Sequence, residues 1–291
     1  MNKSVVALAL AASVVVAGAA FAEVELKPQK HGQCWTEEQL FEKNVENAGG
    51  GKGTLLGKFS FRREQALEED AIKEIGWMTL KTGCYIGEHK HKDNEDAYLI
   101  ISGKGLFTDG KGNAWVVGPG DMTLARPGQA HGLANLYKED LVFLDIIAKN
   151  NAANLEAIAQ NPTGQCFQLK DLFDKNVEKA GAGKGTGVLY GKFAFRREQA
   201  TDDQAIKEIG RMTLKKGASI GMHQHVDNDD TYIIIAGTGV FTGSDGKEIE
   251  VGPKSVTIAG PGESHALRND NDQDLVFIDL IAKNHALKIA K

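Results

Sequence analysis

Short apolar runs separated by glycine-containing turns follow one another along most of the chain. The runs are rich in β-branched and aromatic residues, and in the first half they include residues 78–80, 98–101, 115–117 and 141–147. Asp-Gly pairs at Asp109-Gly110 and Asp245-Gly246 are typical of tight turns between strands. Many short strands at regular spacing predict an all-β sandwich or barrel rather than an α/β fold.

The same pattern occurs twice, because the chain is an internal duplication. Residues 40–46 reappear with little change as 172–178, and Phe-Arg-Arg-Glu-Gln-Ala occurs both at 61–66 and at 195–200. The correspondence continues to residues 147–150 and 281–284, with one small insertion near Val188-Leu189. Self-similarity over this length predicts two copies of one fold in tandem.

Helical signals occur at the edges of the copies. Thr36 and Gln39 have the spacing of a capping box and Gly49 is a suitable stop, so we predict a short helix at the start of each copy. Residues 151–160 predict a terminal helix, and the Asn-Pro-Thr-Gly sequence at 161–164 predicts a break before the second copy. The glycine-rich stretches 49–53 and 181–185 do not match a phosphate-binding loop and are interpreted as flexible connectors.

The N-terminus has the features of a secretory signal peptide. Lys3 precedes an apolar run over residues 5–17, and Ala20-Phe21-Ala22 supplies a small-residue cleavage pattern. The run is shorter than the roughly 20 residues that a membrane-spanning helix needs. We therefore predict a signal peptide over 1–22, a mature chain beginning at Glu23 and a periplasmic or secreted location. An uncleaved anchor is the alternative.

Composition narrows the possible partners. The formal net charge is -5 and the basic residues are scattered, so we expect no nucleic-acid partner and, after signal cleavage, no membrane attachment. The three cysteines are Cys34, Cys84 and Cys166, and the first and third occupy equivalent places in the two copies. An oxidising compartment would allow a Cys34–Cys166 disulfide, and two separately buried thiols are the alternative.

Six of the eight histidines fall at matching positions in the two copies. They are His89, His91 and His131 in the first copy and His223, His225 and His265 in the second. Residues i and i+2 of a strand share a face, so the first two histidines of each copy present their rings side by side. A single histidine of this kind would more often be a hydrogen-bonded core residue, but the repeated pattern favours metal ligands. His31 and His285 have no counterparts and no assigned role.

A carboxylate is expected to complete each histidine set. The candidates are Glu95 or Asp96 in the first copy and Asp229 or Asp230 in the second. Strand alternation, with Tyr98 facing inward, selects Asp96 and by the same argument Asp230. The other two would then be solvated turn residues. The choice stays open at this point because a turn can reset the phase of a strand.

Two spaced motifs resemble those of the cupin superfamily. In the first copy they are Gly83-x5-His89-x-His91-x4-Asp96-x6-Gly103 and Gly120-x7-Gly128-x2-His131-x3-Asn135, and in the second copy Gly217-x5-His223-x-His225-x4-Asp230-x6-Gly237 and Gly262-x2-His265-x3-Asn269. The resemblance implies a bicupin, an all-β chain of two tandem jelly-roll barrels with short flanking helices. We expect cupin domains over 34–150 and 166–284, a helical linker over 151–165 and a C-terminal tail over 285–291. Cupins often pair through sheet edges, which makes a homo-oligomer an expectation.

The sequence departs from the cupin pattern at three kinds of position. The usual glutamate ligand is aspartate in both copies, Arg126 and Gly260 stand where the family often has proline, and Lys254 replaces the motif glycine that Gly120 supplies. Three imidazoles and one carboxylate with room for water suit manganese or iron, and zinc is possible.

The predicted function is that of an exported metalloenzyme acting on a small oxygen-rich organic acid by oxidation, decarboxylation or lyase chemistry. A non-catalytic metal- or ligand-binding cupin is the alternative. Candidate catalytic residues are Tyr98 and Tyr232, which share the inward face, and Arg63 and Arg197, which could anchor an anion. The alternatives are an aromatic core role for the tyrosines and a solvated charged face for the arginines.

Overall fold

The computed structural model describes residues 32–150 and 165–283. The first half contributes twelve strands, β1 (Cys34–Trp35), β2 (Phe41–Glu42), β3 (Val45–Glu46), β4 (Thr54–Phe61), β5 (Ile72–Leu80), β6 (Tyr85–Lys90), β7 (Asn94–Ser102), β8 (Gly105–Asp109), β9 (Ala114–Val117), β10 (Met122–Ala125), β11 (Ala130–Ala134) and β12 (Leu141–Lys149). The second half contributes β13 (Cys166–Phe167), β14 (Phe173–Asp174), β15 (Val177–Glu178), β16 (Val188–Phe195), β17 (Ile206–Leu214), β18 (Ser219–Gln224), β19 (Asp229–Ala236), β20 (Gly239–Thr242), β21 (Glu248–Val251), β22 (Val256–Ala259), β23 (Ser264–Arg268) and β24 (Leu275–Ala282).

Each half folds as a sandwich of two antiparallel sheets. The first has a large sheet in the order β13-β10-β7-β12-β5-β4-β2, with β3 also on β4, facing a smaller sheet β6-β11-β8-β9. The second repeats this arrangement as β1-β22-β19-β24-β17-β16-β14, with β15 on β16, facing β18-β23-β20-β21. The all-β prediction and the tandem duplication are confirmed. The domain boundaries given above remain predictions.

The two halves exchange their first strands. In β1, Cys34 pairs with Thr257 of the second large sheet, and in β13, Cys166 pairs with Thr123 of the first. Cys34 accordingly packs against the core of the second half and Cys166 against that of the first. The described cysteines are free thiols, so the structure has the separate thiols rather than the disulfide. Burial raises the pKa of Cys34 to about 11 and, aided by nearby Asp121, that of Cys166 to about 12.

The predicted N-terminal helix is wrong in length. The capping box of Thr36 and Gln39 is present, but the helical segment is one 3₁₀ turn over Glu37–Gln39, because Leu40 already has an extended backbone. Phe41 then pairs with Phe59 of β4 and buries part of its ring there, so sheet pairing takes precedence over the helical signal. The second copy likewise has a 3₁₀ turn, Leu169–Asp171.

Three apolar clusters hold the molecule together. One lies between the sheets of each half and contains aromatic rings such as Phe107 and Phe241. The third lies between the two halves, where the outer faces of the large sheets meet through residues such as Leu144 and Ile278. The two halves therefore share a buried apolar interface, and the metal-ligand candidates lie on the other side of each large sheet, between it and the small sheet that faces it.

The signal peptide (1–22), the linker helix and break (151–164), the tail (285–291), His31 and His285 lie outside the described residues. Within 32–150 and 165–283 there is no helix that is long and apolar enough to span a membrane.

Candidate metal centres

Two strands of the small sheet bring the histidines of the first copy together. His89 lies near the end of β6, and His131 in β11 stands directly opposite it. His91 follows β6 by one residue, and its amide donates to the carbonyl of Gln129. The three rings lie with centroids 4.7 to 4.9 Å apart. Antiparallel pairing is thus what joins the two sequence motifs in space.

The carboxylate comes from the facing large sheet. Asp96 lies in β7 and is 3% exposed, and Tyr98 on the same face packs in the inner core. Asp96 Oδ2 lies 3.3 Å from His131 Nε2, 3.6 Å from His91 Nε2 and 3.9 Å from His89 Nε2. All four potential ligand atoms lie within 4.8 Å of one another. The alternation argument therefore places the right carboxylate beside the imidazoles.

The second copy reproduces this geometry. Asp230 Oδ2 lies 3.3 Å from His225 Nε2, 3.4 Å from His265 Nε2 and 3.9 Å from His223 Nε2. In both copies the Nε2 atoms of the last two histidines are 3.0 Å apart. This distance is what two neighbouring ligands at a right angle would have around an ion with bonds of roughly 2.1 Å. The donor set therefore fits a nitrogen- and oxygen-binding divalent metal.

The outer ring nitrogens support the same interpretation. His89 Nδ1 lies 2.9 Å from the carbonyl oxygen of Gly87, and His91 Nδ1 lies 2.6 Å from the side-chain oxygen of Asn94. A proton on Nδ1 donated to these acceptors leaves the Nε2 lone pair facing the cluster. In the second copy it is the side-chain nitrogen of Asn228 that lies 3.0 Å from His225 Nδ1. Asn94 and Asn228 were missed in the sequence, where they look like ordinary turn residues.

Burial and local charge prepare the ligands for a cation. Burial lowers the pKa of His131 to about 4, and that of His225 to about 4, so both rings are neutral at pH 7. Burial alone would raise the pKa of Asp96, but its interactions with His131, His89 and His91 hold it well below its ordinary value. The same balance applies to Asp230. Neutral imidazoles and an ionised carboxylate are the forms that bind metals.

Glu95 and Asp229 were expected to be solvated turn residues, and this prediction is wrong. Both side chains instead form hydrogen bonds that bridge the two halves. Glu95 is fully buried and accepts the backbone amides of Ala205 and Ile206, at 2.9 and 2.8 Å. Asp229 accepts those of Ala71 and Ile72, at 2.7 and 2.9 Å. Strand alternation explains the difference, because a residue that faces away from the inner core of a large sheet faces the interdomain interface.

A second carboxyl group supports each aspartate. Asp145 in β12 pairs with Tyr98 of β7, and its carboxyl group is buried beside that of Asp96. Burial, followed by the charge of Asp96, raises the pKa of Asp145 well above its ordinary value, so its carboxyl group stays protonated beside the ionised Asp96. Asp279 is its equivalent beside Asp230. The sequence did contain a signal, since an acidic residue interrupts the same apolar strand in both copies.

The first cluster opens into a cavity of ≈440 Å³. Tyr98 forms part of its wall, is 2% exposed and stacks on His131 with ring centroids 4.6 Å apart. Arg63 also lines the cavity, with about half of its side chain exposed and Nε 3.5 Å from Glu74. Tyr232 and Arg197 repeat these positions, with the Tyr232 hydroxyl 3.4 Å from Asp230 and Arg197 Nε 3.6 Å from Glu208. Each tyrosine is a buried core ring that stacks on a ligand histidine, and the catalytic role of Tyr98 and Tyr232 stays a prediction.

The glycine-rich stretches are not flexible connectors. A Cβ atom on Gly49 would lie 2.9 Å from His89 Nδ1 and 2.7 Å from the carbonyl oxygen of Gly87. Gly181 lies against Gly221 in the same way in the second copy. Glycine is needed because this backbone packs directly behind a ligand histidine, with φ +59° at Gly49 and +79° at Gly181.

Comparison with known families agrees with this architecture. The model of the Cupin domain family matches residues 76–147 and 210–281. The chain contains two cupin domains. A curated relative, the oxalate-binding protein of Thermotoga maritima, is 28% identical over 119 residues, which are 41% of this chain and 94% of that protein.

Solved bicupin structures share the fold at low identity. The oxalate decarboxylase of Lactobacillus farciminis, in a formate complex, superposes with a TM-score of 0.62 and 15% identity over 90% of this chain and 89% of its own. The oxalate decarboxylase of Bacillus subtilis, studied for its Mn(II) centres, gives a TM-score of 0.61 and 18% identity over 90% of this chain and 80% of its own.

The surroundings of the two ligand clusters of this bicupin differ. Lys90 and Lys92 line the first cavity and both are exposed. The equivalent residues of the second copy are Gln224 and Val226, and Val226 is 72% exposed. These two positions thus carry two more positive charges in the first copy than in the second.

Metal binding by this bicupin should weaken as the pH falls. The pKa of His89 lies above 6.5 because hydrogen bonding to Asp96 outweighs its burial, whereas that of His131 is about 4. Protons and metal compete for the same nitrogens, so affinity is full above the higher pKa and is lost as the pH falls through both. Equilibrium dialysis against manganese at a series of pH values should show affinity that falls continuously as the solution is acidified. Constant affinity down to pH 4 would contradict the assigned ligands.

Proposed function

We propose that this bicupin binds oxalate, or a close small dicarboxylate, through a metal ion in its first domain and decarboxylates it. The observation that supports this most directly is the combination of three imidazoles and a carboxylate with a cavity whose mouth is cationic. A dicarboxylate has one group for a metal and a second for the cations. The relatives' names, oxalate-binding protein and oxalate decarboxylase, point to the same ligand.

The chain's own residues would orient the anion. Arg63 lies at the cavity wall, where a neighbouring arginine and Glu74 fix its guanidinium group, with Arg62 Nε 3.1 Å and Arg63 Nε 3.5 Å from the same carboxylate oxygen. A guanidinium group held in this way can pair with a free carboxylate by two parallel hydrogen bonds. Lys90 and Lys92 add long-range attraction that draws anions towards the cavity.

The buried wall would exclude water from the reacting carbons. Tyr98 and Ile86 line the cavity and are almost fully buried, so part of the anion would be shielded from solvent. Decarboxylation of hydrogen oxalate breaks the carbon–carbon bond, releases carbon dioxide and transfers a proton to the remaining carbon, which gives formate. A bound manganese or iron ion would supply Lewis-acid stabilisation of the developing charge.

The test begins with metal-loaded protein. Calorimetry should detect oxalate binding, and treatment with a chelator should abolish it. Carbon dioxide and formate should appear in equal amounts in the absence of an added reductant. The double variant Lys90→Gln/Lys92→Val, which installs the residues of the second copy, should weaken oxalate binding about three- to tenfold at low salt and reduce its salt dependence. The reciprocal variant Gln224→Lys/Val226→Lys is the matched control and should leave the first site unchanged.

The results separate the two candidate functions. Oxalate binding without carbon dioxide release would select the binding-protein function, which the name of the Thermotoga maritima relative favours. Protein that holds no transition metal after purification without chelators would contradict both functions. Equal oxalate affinity in the lysine double variant and the unmodified protein would contradict the assignment to the first domain.

Export from the cytoplasm is a further part of the proposal. It rests on Lys3, the apolar run over 5–17 and Ala20-Phe21-Ala22. Mass spectrometry of the mature chain should give Glu23 as its first residue.

A further inference from the structure

A second cavity lies between the two domains, far from the inner faces that hold the histidines. Its volume is ≈450 Å³, which is within the usual range for small-molecule pockets. None of its lining residues also lines the first metal cavity. Its walls come from the outer faces of both large sheets, with Leu99 and Met122 on one side and Arg211 and Ile278 on the other.

The cavity lies where the residues of the two copies differ. On the second large sheet Lys192, Arg211 and Ile278 stand side by side on β16, β17 and β24. The equivalent row on the first sheet is Lys58, Trp77 and Leu144. Trp77 is 7% exposed and fills its end of the interdomain core, whereas Arg211 lies outside that apolar cluster. An indole ring at one end is thus replaced by a cation and open space at the other.

The rim of the cavity also differs from the equivalent place at the filled end. At the filled end Lys254 forms an ion pair with Glu37. The equivalent residues at the open end are Gly120 and Leu169, both of which line the cavity. Gly120 has no side chain to cover the opening, and the Leu169 methyl groups lie 3.1 Å from where its Cβ would be. The ion pair at the filled end is therefore replaced by an apolar wall at the open end.

The charges around the cavity leave Arg211 available. Lys192 pairs with Asp174 at 2.7 Å, while Arg211 makes no hydrogen bond or ion pair with any residue in the described part of the chain. Asp121, the acidic residue of the lining, already accepts the amides of Leu169 and Gly118 at 2.7 and 2.8 Å. A guanidinium group at an apolar wall is suited to a carboxylate with a hydrophobic body.

We propose that this interdomain cavity binds an apolar monocarboxylate, with its carboxylate on Arg211 and its hydrocarbon body against Leu99, Met122 and Ile278. A dicarboxylate such as oxalate would not fit the same chemistry, because its second charge would face apolar side chains and lose its hydration without a partner. The cavity is therefore a separate ligand site, and its occupant also bridges the two domains.

Calorimetric titration of the metal-loaded, full-length protein with octanoate tests the proposal. One molecule should bind per chain, and octanol should bind at least about tenfold more weakly because it lacks the charge. Arg211→Trp installs the residue that fills the equivalent place, and Arg211→Leu removes the charge alone. Each should reduce octanoate affinity about 10- to 100-fold, the effect of losing a charged hydrogen bond. Lys58→Gln, at the filled end, is the matched control and should bind octanoate normally.

Metal content and melting temperature show whether each variant is folded. The two Arg211 variants change the side chain in different ways, so a folding defect in one still leaves the other as a test. Octanoate affinity that is unchanged in both would overturn the proposal. So would octanoate that competes with oxalate or is lost with the metal, because it would then occupy the first metal cavity. The absence of octanoate binding to the unmodified protein would overturn it as well.

Discussion

Replacing His91 with alanine should remove one metal ion per chain and abolish oxalate binding, whereas His225→Ala should remove the other ion and leave oxalate binding intact. His91 Nε2 faces both His131 and Asp96, so its loss opens a gap in the donor set. Loss of a supporting residue around a metal already costs about 10- to 100-fold in affinity, so loss of a ligand should cost at least about 100-fold. Metal analysis after dialysis, followed by calorimetry with oxalate, measures both effects.

His285→Ala is the matched histidine control, because His285 has no counterpart in the repeat. It should change neither metal content nor oxalate affinity. Two metal ions retained by His91→Ala would show that the first cluster does not use this nitrogen. Loss of oxalate binding from His225→Ala alone would move the working site to the second domain.

Glu95→Ala should lower the free energy of unfolding by about 3–5 kcal/mol, as expected when one partner of a buried charged network is removed. The change removes the buried acceptor of the Ala205 and Ile206 amides and one of the acceptors of the Asn150 side chain. It also removes the negative charge that interacts most strongly with Arg126. Arg126 is fully buried, and its guanidinium nitrogens have no hydrogen-bond partner among the described residues. Urea unfolding followed by tryptophan fluorescence measures the loss.

Asp229→Ala makes the equivalent change on the other side of the interface and should cost less, about 2–3 kcal/mol. It leaves two amides unpaired, but Gly260 stands where the first copy has Arg126, so no guanidinium group loses its counter-charge. Glu95→Gln, which keeps an acceptor oxygen, should fall between the alanine variant and the unmodified protein. Stability within about 0.5 kcal/mol of the unmodified protein for Glu95→Ala would show that the bridge adds nothing to folding.

The periodicity of the sequence was enough to predict the strands and the inner faces of the sheets. Alternation with Tyr98 favours Asp96 over Glu95, and in β7 Tyr98 indeed packs in the inner core while its neighbours Ala97 and Leu99 pack in the interdomain cluster. The same reasoning failed for the fate of Glu95, because it assumed that the face away from the core meets water. Only the packing of the second domain shows that this face is buried.

Long-range pairing explains the remaining differences. The capping box of Thr36 and Gln39 was predicted correctly from local sequence. The helix nevertheless ends after one turn, because Phe41 pairs with β4. The roles of Gly49 and Asp145 depend on which strands become neighbours, and the spacing of residues along the chain does not contain that information. Their repetition in both copies was a usable signal, but it did not say what they would touch.

The exchange of β1 and β13 has a consequence for how such a protein could be assembled. Between two separate one-domain chains, the same exchange would make a symmetric dimer that dissociates on dilution. Joining the copies in one polypeptide makes the association intramolecular and independent of protein concentration. It also frees the two halves from identity, since one copy can change alone. The two copies differ at equivalent positions, with Trp77 in the first where Arg211 stands in the second, and Lys92 where Val226 stands. A dimer of identical chains could not contain such differences.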